Sequence, residues 1–338
     1  MFHRVRIGFI TYFKNRIIYD CVANQMGQSK RISPYSLKPK IMKKGIFITR
    51  TLAIVTIAFS ILSCDMEQLA SPQNEMKDFA GAPSAAKAPK GTFFYGLGEN
   101  NEITGFTSGN PLKEHGTVSI TGLQTSETIL AIDYRPATGQ LYGVSDMSRL
   151  YIINPTTGVA TAVSMTPFTP AIAGTNVGFD FNPTVDRIRL VTDQDQNLRL
   201  NPNTGAVAAT DLPLNPGNPE VVAVAYINSF AGATSTVLYD INVADDMLYR
   251  QFPPNNGTLA PVGPLGVLAT GEGGFDISSD NSVALAVLFG RGDDGEGGEE
   301  ISNGNKIRFY YIDLASGDAT NAGKTDRVII GIAIPPSI

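Results

Sequence analysis

An internal repeat is the feature that most constrains how this chain can fold. The segment from Gly178 to Val207 matches the segment from Ala131 to Ala160 at a constant offset of 47 residues. Asp133 corresponds to Asp180, and the turn sequence NPTTG corresponds to NPNTG. A period of about 40–50 residues is typical of β-propeller blades or of solenoid repeats.

The content of the repeats favours the propeller. Each repeat contains short runs of Val, Ile, Leu, Tyr and Phe between Pro, Gly and Asn turns, and no helical period is present. This pattern predicts about four strands per repeat, which is the size of one blade. Weaker copies follow at 224–263 and at 275–290 with 306–320.

The two ends of the repeat region complement each other. Residues 93–106 and 116–123 resemble a blade without its first strand, and residues 327–335 resemble a first strand without its blade. Pairing them would close the ring and remove the open sheet edges. We therefore predict an all-β domain over 91–338, a five-bladed β-propeller closed by the C-terminal strand, with six blades as the alternative.

The N-terminal part of the chain differs in charge from the rest. Residues 1–64 contain eleven Lys and Arg but one acidic residue, whereas residues 65–338 carry a net charge of -15. A basic stretch, Met42–Arg50, precedes the apolar run Thr51–Ser63, which is too short to span a bilayer but typical of a signal peptide. This predicts a signal peptide over 42–63.

Cys64 follows this apolar run directly, as in the lipobox of bacterial lipoproteins. We predict lipidation of Cys64, a flexible tether over 64–90, and a protein exported to the bacterial outer membrane or cell surface. The alternative is an ordinary secretory peptide with an incidental cysteine. Residues 1–41 precede a complete signal peptide, so an over-extended gene start is the simplest explanation for them. The alternative is a long cytoplasmic or transit-like extension.

Composition excludes several classes of protein. After residue 63, the chain contains one Cys, Cys64, and one His, His115, so disulfides, thiol catalysis and a Cys/His zinc site are not expected. The net charge of -15 argues against nucleic acid, whose phosphates require Lys and Arg. No G-x-S-x-G motif is present, and His115 is interpreted as a surface residue.

Residues 178–205 and 238–267 carry a resemblance to a known family. The sequences GFDFNPTVDRIRLVTDQDQNLRLNPNTG and LYDINVADDMLYRQFPPNNGTLAPVGPLGV resemble the bacterial secreted domain-of-unknown-function family 4394. The resemblance covers residues 92–335. It implies export and a propeller-like fold, and it implies no activity and no catalytic residues.

Three aspartates are the main candidates for chemistry: Asp133, Asp180 and Asp276. Each lies in the first strand of its repeat, and first strands line the channel of a propeller. Two converging carboxylates could act as the acid and the nucleophile or base of a glycoside hydrolase or lyase. The structural alternative is that each accepts backbone N–H bonds from the next blade. Ala225 and Ile332 are expected at the equivalent places in the other repeats.

Other acidic residues offer a weaker prediction of calcium binding. Asp193 and Asp195 alternate in a turn that lacks the central Gly and the distal Glu of an EF-hand. Asp293 and Asp294 begin an acidic Gly-rich segment over 292–300. Polar turns explain them as well, and no cofactor is otherwise expected. Recurrent tyrosines could stack on sugars, although blade packing accounts for them: Tyr142, Tyr151, Tyr239, Tyr249 and Tyr310.

The sequence thus favours a monomeric, lipid-anchored envelope protein whose propeller binds an envelope protein or a glycan. A polysaccharide-cleaving enzyme using the three aspartates is the main alternative. A structural surface or adhesion component is the third interpretation, and the sequence does not separate it from the first.

Overall fold

The computed structural model of the protein describes residues 91–291 and 305–336. These residues form five antiparallel sheets of four strands each and one short 3-10 helix, Pro254–Asn256. The predicted all-β, five-bladed propeller is confirmed. Among the described residues, no helix is long and apolar enough to cross a membrane. The segments predicted as gene start (1–41), signal peptide (42–63) and tether (64–90) lie outside the described residues.

The strands follow the chain blade by blade. Blade 1 contains β1 (Phe93–Gly98), β2 (Glu102–Thr107) and β3 (Thr117–Ser119). Blade 2 contains β4 (Ile129–Arg135), β5 (Gln140–Ser145), β6 (Leu150–Ile153) and β7 (Ala160–Ala162). Blade 3 contains β8 (Val177–Asn182), β9 (Arg187–Thr192), β10 (Asn197–Leu200) and β11 (Val207–Thr210).

The last two blades and the closing strand complete the ring. Blade 4 contains β12 (Val221–Tyr226), β13 (Leu238–Asn242), β14 (Met247–Gln251) and β15 (Leu259–Pro264). Blade 5 contains β16 (Ala269–Ile277), β17 (Ala284–Arg291), β18 (Asn305–Ile312) and β19 (Ala319–Lys324). The closing strand is β20 (Ile329–Ala333), which is the first strand of blade 1 in the order β20-β1-β2-β3.

Closure joins the two ends of the domain as the sequence predicts. Strand β20 pairs antiparallel with β1, and Ala333 lies opposite Tyr95. The inner strands β4, β8, β12, β16 and β20 each contact the next one around the ring. The ring therefore has no free inner edge among the described residues.

The repeated turn sequences form the same turn. In NPTTG the Asn154 Oδ1 atom accepts hydrogen bonds from the backbone N–H groups of Thr156 and Thr157, at 2.9 and 3.1 Å. In NPNTG the Asn201 Oδ1 atom accepts one from Asn203 at 2.9 Å. Gly158 and Gly205 close these turns at φ 74° and 71°, where a residue without Cβ is favoured.

The apolar core consists of five clusters, each between two neighbouring blades. One cluster, for example, joins Phe94 and Phe106 of blade 1 to Phe309 of blade 5, and another joins Tyr142 of blade 2 to Phe181 of blade 3. Alternate residues of each strand therefore point to opposite faces of the blade and pack against the two neighbouring blades. This packing fixes the five inner strands, and it is these strands that position the candidate site.

Candidate functional site

The three candidate aspartates converge in the centre of the ring. Asp133, Asp180 and Asp276 lie on the inner strands β4, β8 and β16. Carboxylate oxygens, one from each residue, all lie within 4.8 Å of one another. The three residues are only 3%, 2% and 4% exposed. We call this group the carboxylate cluster.

Each aspartate is hydrogen-bonded to the next inner strand around the ring. Asp133 Oδ2 accepts from the backbone N–H of Phe181 at 2.8 Å, Asp180 Oδ1 from Tyr226 at 3.2 Å, and Asp276 Oδ2 from Ile334 at 2.5 Å. The second oxygens of Asp133 and Asp276 each accept the N–H of the following residue at 2.6 Å. These are the inter-blade bonds that the structural interpretation of the three residues predicts.

The repeated donor position identifies the equivalent residues in the other two blades. The donors Phe181, Tyr226 and Ile334 follow Asp180, Ala225 and Ala333 directly in the chain. The strand register supports the same assignment. Ala333 lies opposite Tyr95 of the second strand in blade 1, and Asp133 lies opposite Tyr142 of the second strand in blade 2. The expectation for Ala225 therefore holds, but Ile332 is wrong by one residue.

Burial controls the electrostatics of the carboxylate cluster. Burial raises the pKa values of Asp133 and Asp180 well above the usual range for an aspartate. The negative charge of Asp276 raises the pKa values of both further, and that of Asp133 also raises the pKa of Asp180. Burial raises the pKa of Asp276 to about 7, against the opposing effect of its two backbone N–H bonds.

The channel beside the carboxylate cluster is narrow. The residues two positions before the five equivalent positions are all small: Ala131, Gly178, Ala223, Gly274 and Gly331. They line a cavity in which the space open to the centre of a water molecule is about 10 Å³. That is roughly the space that one water molecule needs. A sugar chain does not fit in this space, which holds about one water molecule and which none of the three aspartates lines.

The other acidic candidates are not brought together. Both oxygens of Asp193 accept hydrogen bonds from Thr175, and Oδ2 also accepts one from Asn176, so this residue joins its loop to the segment just before β8. Asp195 has a buried Oδ1 atom without a partner, but it joins no group of three potential metal ligands among the described residues. Asp293 and Asp294 lie outside the described residues, as does lipidation at Cys64.

The histidine and the tyrosines occupy structural positions. His115 is exposed, and its Nε2 atom lies 2.7 Å from Thr107 Oγ1. Tyr142, Tyr151, Tyr239 and Tyr310 are at most 3% exposed and pack inside the blades. Tyr249 is partly buried and donates a hydrogen bond to Asp245 at 2.5 Å.

A second buried polar group was not expected from the sequence. Asp240 on β13 is fully buried, and neither of its carboxylate oxygens meets full hydrogen-bond geometry with a described residue. The backbone N–H of Gln251 is nevertheless close enough to lower the pKa of Asp240. Arg189 of the neighbouring blade favours the charged form of Asp240, yet burial still raises its pKa well above the usual range. Only the presence of Asp in an otherwise apolar second strand, LYDIN, indicates this position in the sequence.

The fold and the site define a five-bladed β-propeller with a buried carboxylate cluster in its channel. The chain belongs to the family described as Domain of unknown function (DUF4394), which matches residues 102–333. No curated protein matches the chain.

Among solved structures, the chain is similar to a structural genomics protein of unknown function from Bacteroides thetaiotaomicron VPI-5482. The two are 14% identical, with a TM-score of 0.40 over 75% of this chain and 70% of the other.

Proposed function

We propose that this protein is a lipid-anchored protein of the bacterial cell envelope whose propeller binds a protein or glycan partner. The observation that carries the binding role is that the carboxylate cluster is buried and bonded to backbone N–H groups. An enzyme acting on polysaccharide would need two carboxylates open to a substrate, and these are at most 4% exposed. The hydrogen bonds between these carboxylates and the neighbouring strands support a structural role for the cluster. A binding site is then expected on the loops at the ends of the ring.

One end of the ring is the better candidate for the binding surface. Equivalent residues of all five inner strands line one cavity. In each blade the second strand pairs antiparallel with the inner strand. The loop after each second strand therefore lies at the end where the inner strand begins. We call this end the N-face, formed by loops 99–101, 146–149, 193–196 and 243–246. The backbone N–H of Asp146 donates to Thr128, just before β4, which places that loop beside the start of an inner strand.

The N-face is acidic. Its four described loops contain one basic residue, Arg149, which is paired with Glu127. They contain six acidic residues: Glu99, Asp146, Asp193, Asp195, Asp245 and Asp246. The four corresponding loops at the opposite end, the C-face, are 136–139, 183–186, 227–237 and 278–283 and contain two acidic residues, Asp186 and Asp280. A partner with positive charge would therefore be steered to the N-face.

A matched pair of residues tests the binding surface. Met147 on the N-face and Val185 on the C-face are both 54% exposed. A photo-crosslinking amino acid is placed at either position of the full-length chain, expressed in its native host. We expect a discrete crosslinked product from position 147 but not from position 185. Products from position 185 alone, or from neither position, would contradict the proposal.

The anchor is tested separately. Cells expressing the full-length chain are fed a labelled fatty acid, and the same chain with Cys64→Ala is the control. We expect label in the parent chain and none in the variant. Absence of label from both chains would contradict the proposed lipid anchor. The binding role would then still be tested by the crosslinking experiment.

A further inference from the structure

We propose that the carboxylate cluster binds one calcium ion, which links blades 2, 3 and 5 in the central channel. The site consists of Asp133, Asp180 and Asp276, which lie on three of the five inner strands. It is distinct from the loop residues that an acidic sequence pattern suggests, and it does not depend on the proposed binding surface.

The first argument is charge. Three carboxylates with oxygens within 4.8 Å of one another repel each other strongly in a buried environment. Among the described residues, no Lys, Arg or His forms an ion pair with any of them. Buried charges in proteins are normally paired or coordinate a metal, and a divalent cation supplies the charge that is missing.

The second argument is an oxygen atom without a partner. Asp180 is only 2% exposed. Its Oδ1 atom accepts one hydrogen bond, from the backbone N–H of Tyr226 at 3.2 Å. Its Oδ2 atom accepts no hydrogen bond from the described residues. Asp133 and Asp276 each accept two backbone bonds, although a carboxylate can accept about four. The cluster therefore retains acceptor capacity that its protein neighbours do not use.

The third argument is geometry. Calcium binds oxygen at about 2.3–2.6 Å, so oxygens on opposite sides of the ion are up to about 5 Å apart. The separation of at most 4.8 Å fits this range. Magnesium is less suited to the site, because it demands near-ideal octahedral geometry and gives up its water ligands reluctantly. The backbone N–H groups hold the carboxylates in place, as outer partners of metal ligands do.

Metal content is the first measurement. The full-length protein is purified, dialysed against metal-free buffer, loaded with calcium chloride and dialysed again before elemental analysis. We expect one calcium per chain. Calcium at 100 times its dissociation constant should raise the Tm by about 5–10 °C over the protein in EDTA, given the usual linkage and size scaling. No bound calcium and no change in Tm would overturn the proposal in favour of carboxylates that hold protons.

Two variants locate the ion. In Asp180→Asn we expect the bound calcium and the calcium-dependent rise in Tm to be lost, because an unpartnered carboxylate oxygen is replaced. In the control, Asp193→Asn, both should be retained, because Asp193 lies outside the carboxylate cluster and its oxygens are bonded to Thr175. Loss of calcium in the Asp193 variant alone would overturn the proposal.

A second measurement covers the case in which Asp180→Asn does not fold. Terbium replaces calcium in crystals of the unmodified protein, and its anomalous scattering gives the position of the ion directly. A peak among the three aspartates is expected, and a peak elsewhere would overturn the proposal.

Discussion

At the scale of single residues, Asp240 shows what the buried polar groups do to stability. Burial raises the pKa of Asp240 well above its usual value, so the folded state holds a proton at pH values where the unfolded chain releases it. Stability from this group is greatest below the unfolded-state pKa of about 3.9. It falls as pH rises towards the pKa in the folded state.

We therefore predict that Asp240→Asn stabilises the protein increasingly as pH rises. Asn resembles the neutral acid in shape, so the two chains should be about equally stable near pH 4. Above that, the wild type should lose about 1.4 kcal/mol relative to the variant per pH unit, up to the pKa in the folded state. Urea unfolding between pH 4 and pH 9 measures this difference.

A surface aspartate provides the control for this series. Asp326 is exposed, and Asp326→Asn should shift stability by about 0.5 kcal/mol or less at every pH. A difference between wild type and Asp240→Asn that is constant with pH, or that shrinks as pH rises, would show that Asp240 is charged in the folded protein.

At the scale of strands, the close approach of inner strands explains the small residues of the channel. A Cβ atom on Gly274 of β16 would lie 2.7 Å from the Cα of Gly331 and from the N atom of Ile332 in β20. Both neighbours are backbone atoms, which cannot move aside as a flexible side chain can. The size of residue 274 therefore sets how closely β16 and β20 approach.

We predict that Gly274→Ala destabilises the protein by about 1–3 kcal/mol, as overpacking does in other cores. The expected fall in Tm is about 2–12 °C for a domain of this size. Gly98→Ala is the control, because the atom nearest to its added Cβ would be the Val328 carbonyl oxygen at 3.6 Å and its φ is not in the left-handed region. Its Tm should change little or rise. Equal changes in the two variants would contradict the packing argument.

At this scale the sequence predicts two features of the fold. The pairing of β20 with β1 was predictable because one end of the repeat region lacks a first strand and the other end supplies one. The convergence of Asp133, Asp180 and Asp276 was predictable because each has the same place in its repeat.

The register of β20 was not predictable to the residue. The sequence IIGIA carries no charged residue to align with the aspartates, and a slip of one position exchanges Ile332 for Ala333 and reverses the face. The contacts of Arg189 were also not predictable, because its partner Asn255 lies 66 residues away in the short 3-10 helix of the next blade. A sequence repeat predicts the order and pairing of the strands. It does not predict a contact to a single polar residue in a segment that differs between the repeats.

At the scale of the whole molecule, closure of the ring makes the C-terminal strand essential. Ile329 and Ile332 of β20 are at most 2% exposed and pack in the cluster between blades 5 and 1. The backbone N–H of Ile334, just after β20, is also the inter-blade partner of Asp276. Without these residues β1 would present a free edge, and edges of this kind promote aggregation.

We predict that a chain ending at residue 326 loses cooperative unfolding and aggregates. A chain ending at residue 336 keeps β20 and Ile334 and should match the full-length chain in Tm and in elution volume on gel filtration. Thermal unfolding and gel filtration of the three chains measure this. If the chain ending at 326 unfolds cooperatively at the full-length Tm, four complete blades and a three-stranded blade 1 are sufficient, and closure by β20 contributes little. Loss of folding in both shortened chains would instead assign the effect to residues 337–338 rather than to the ring.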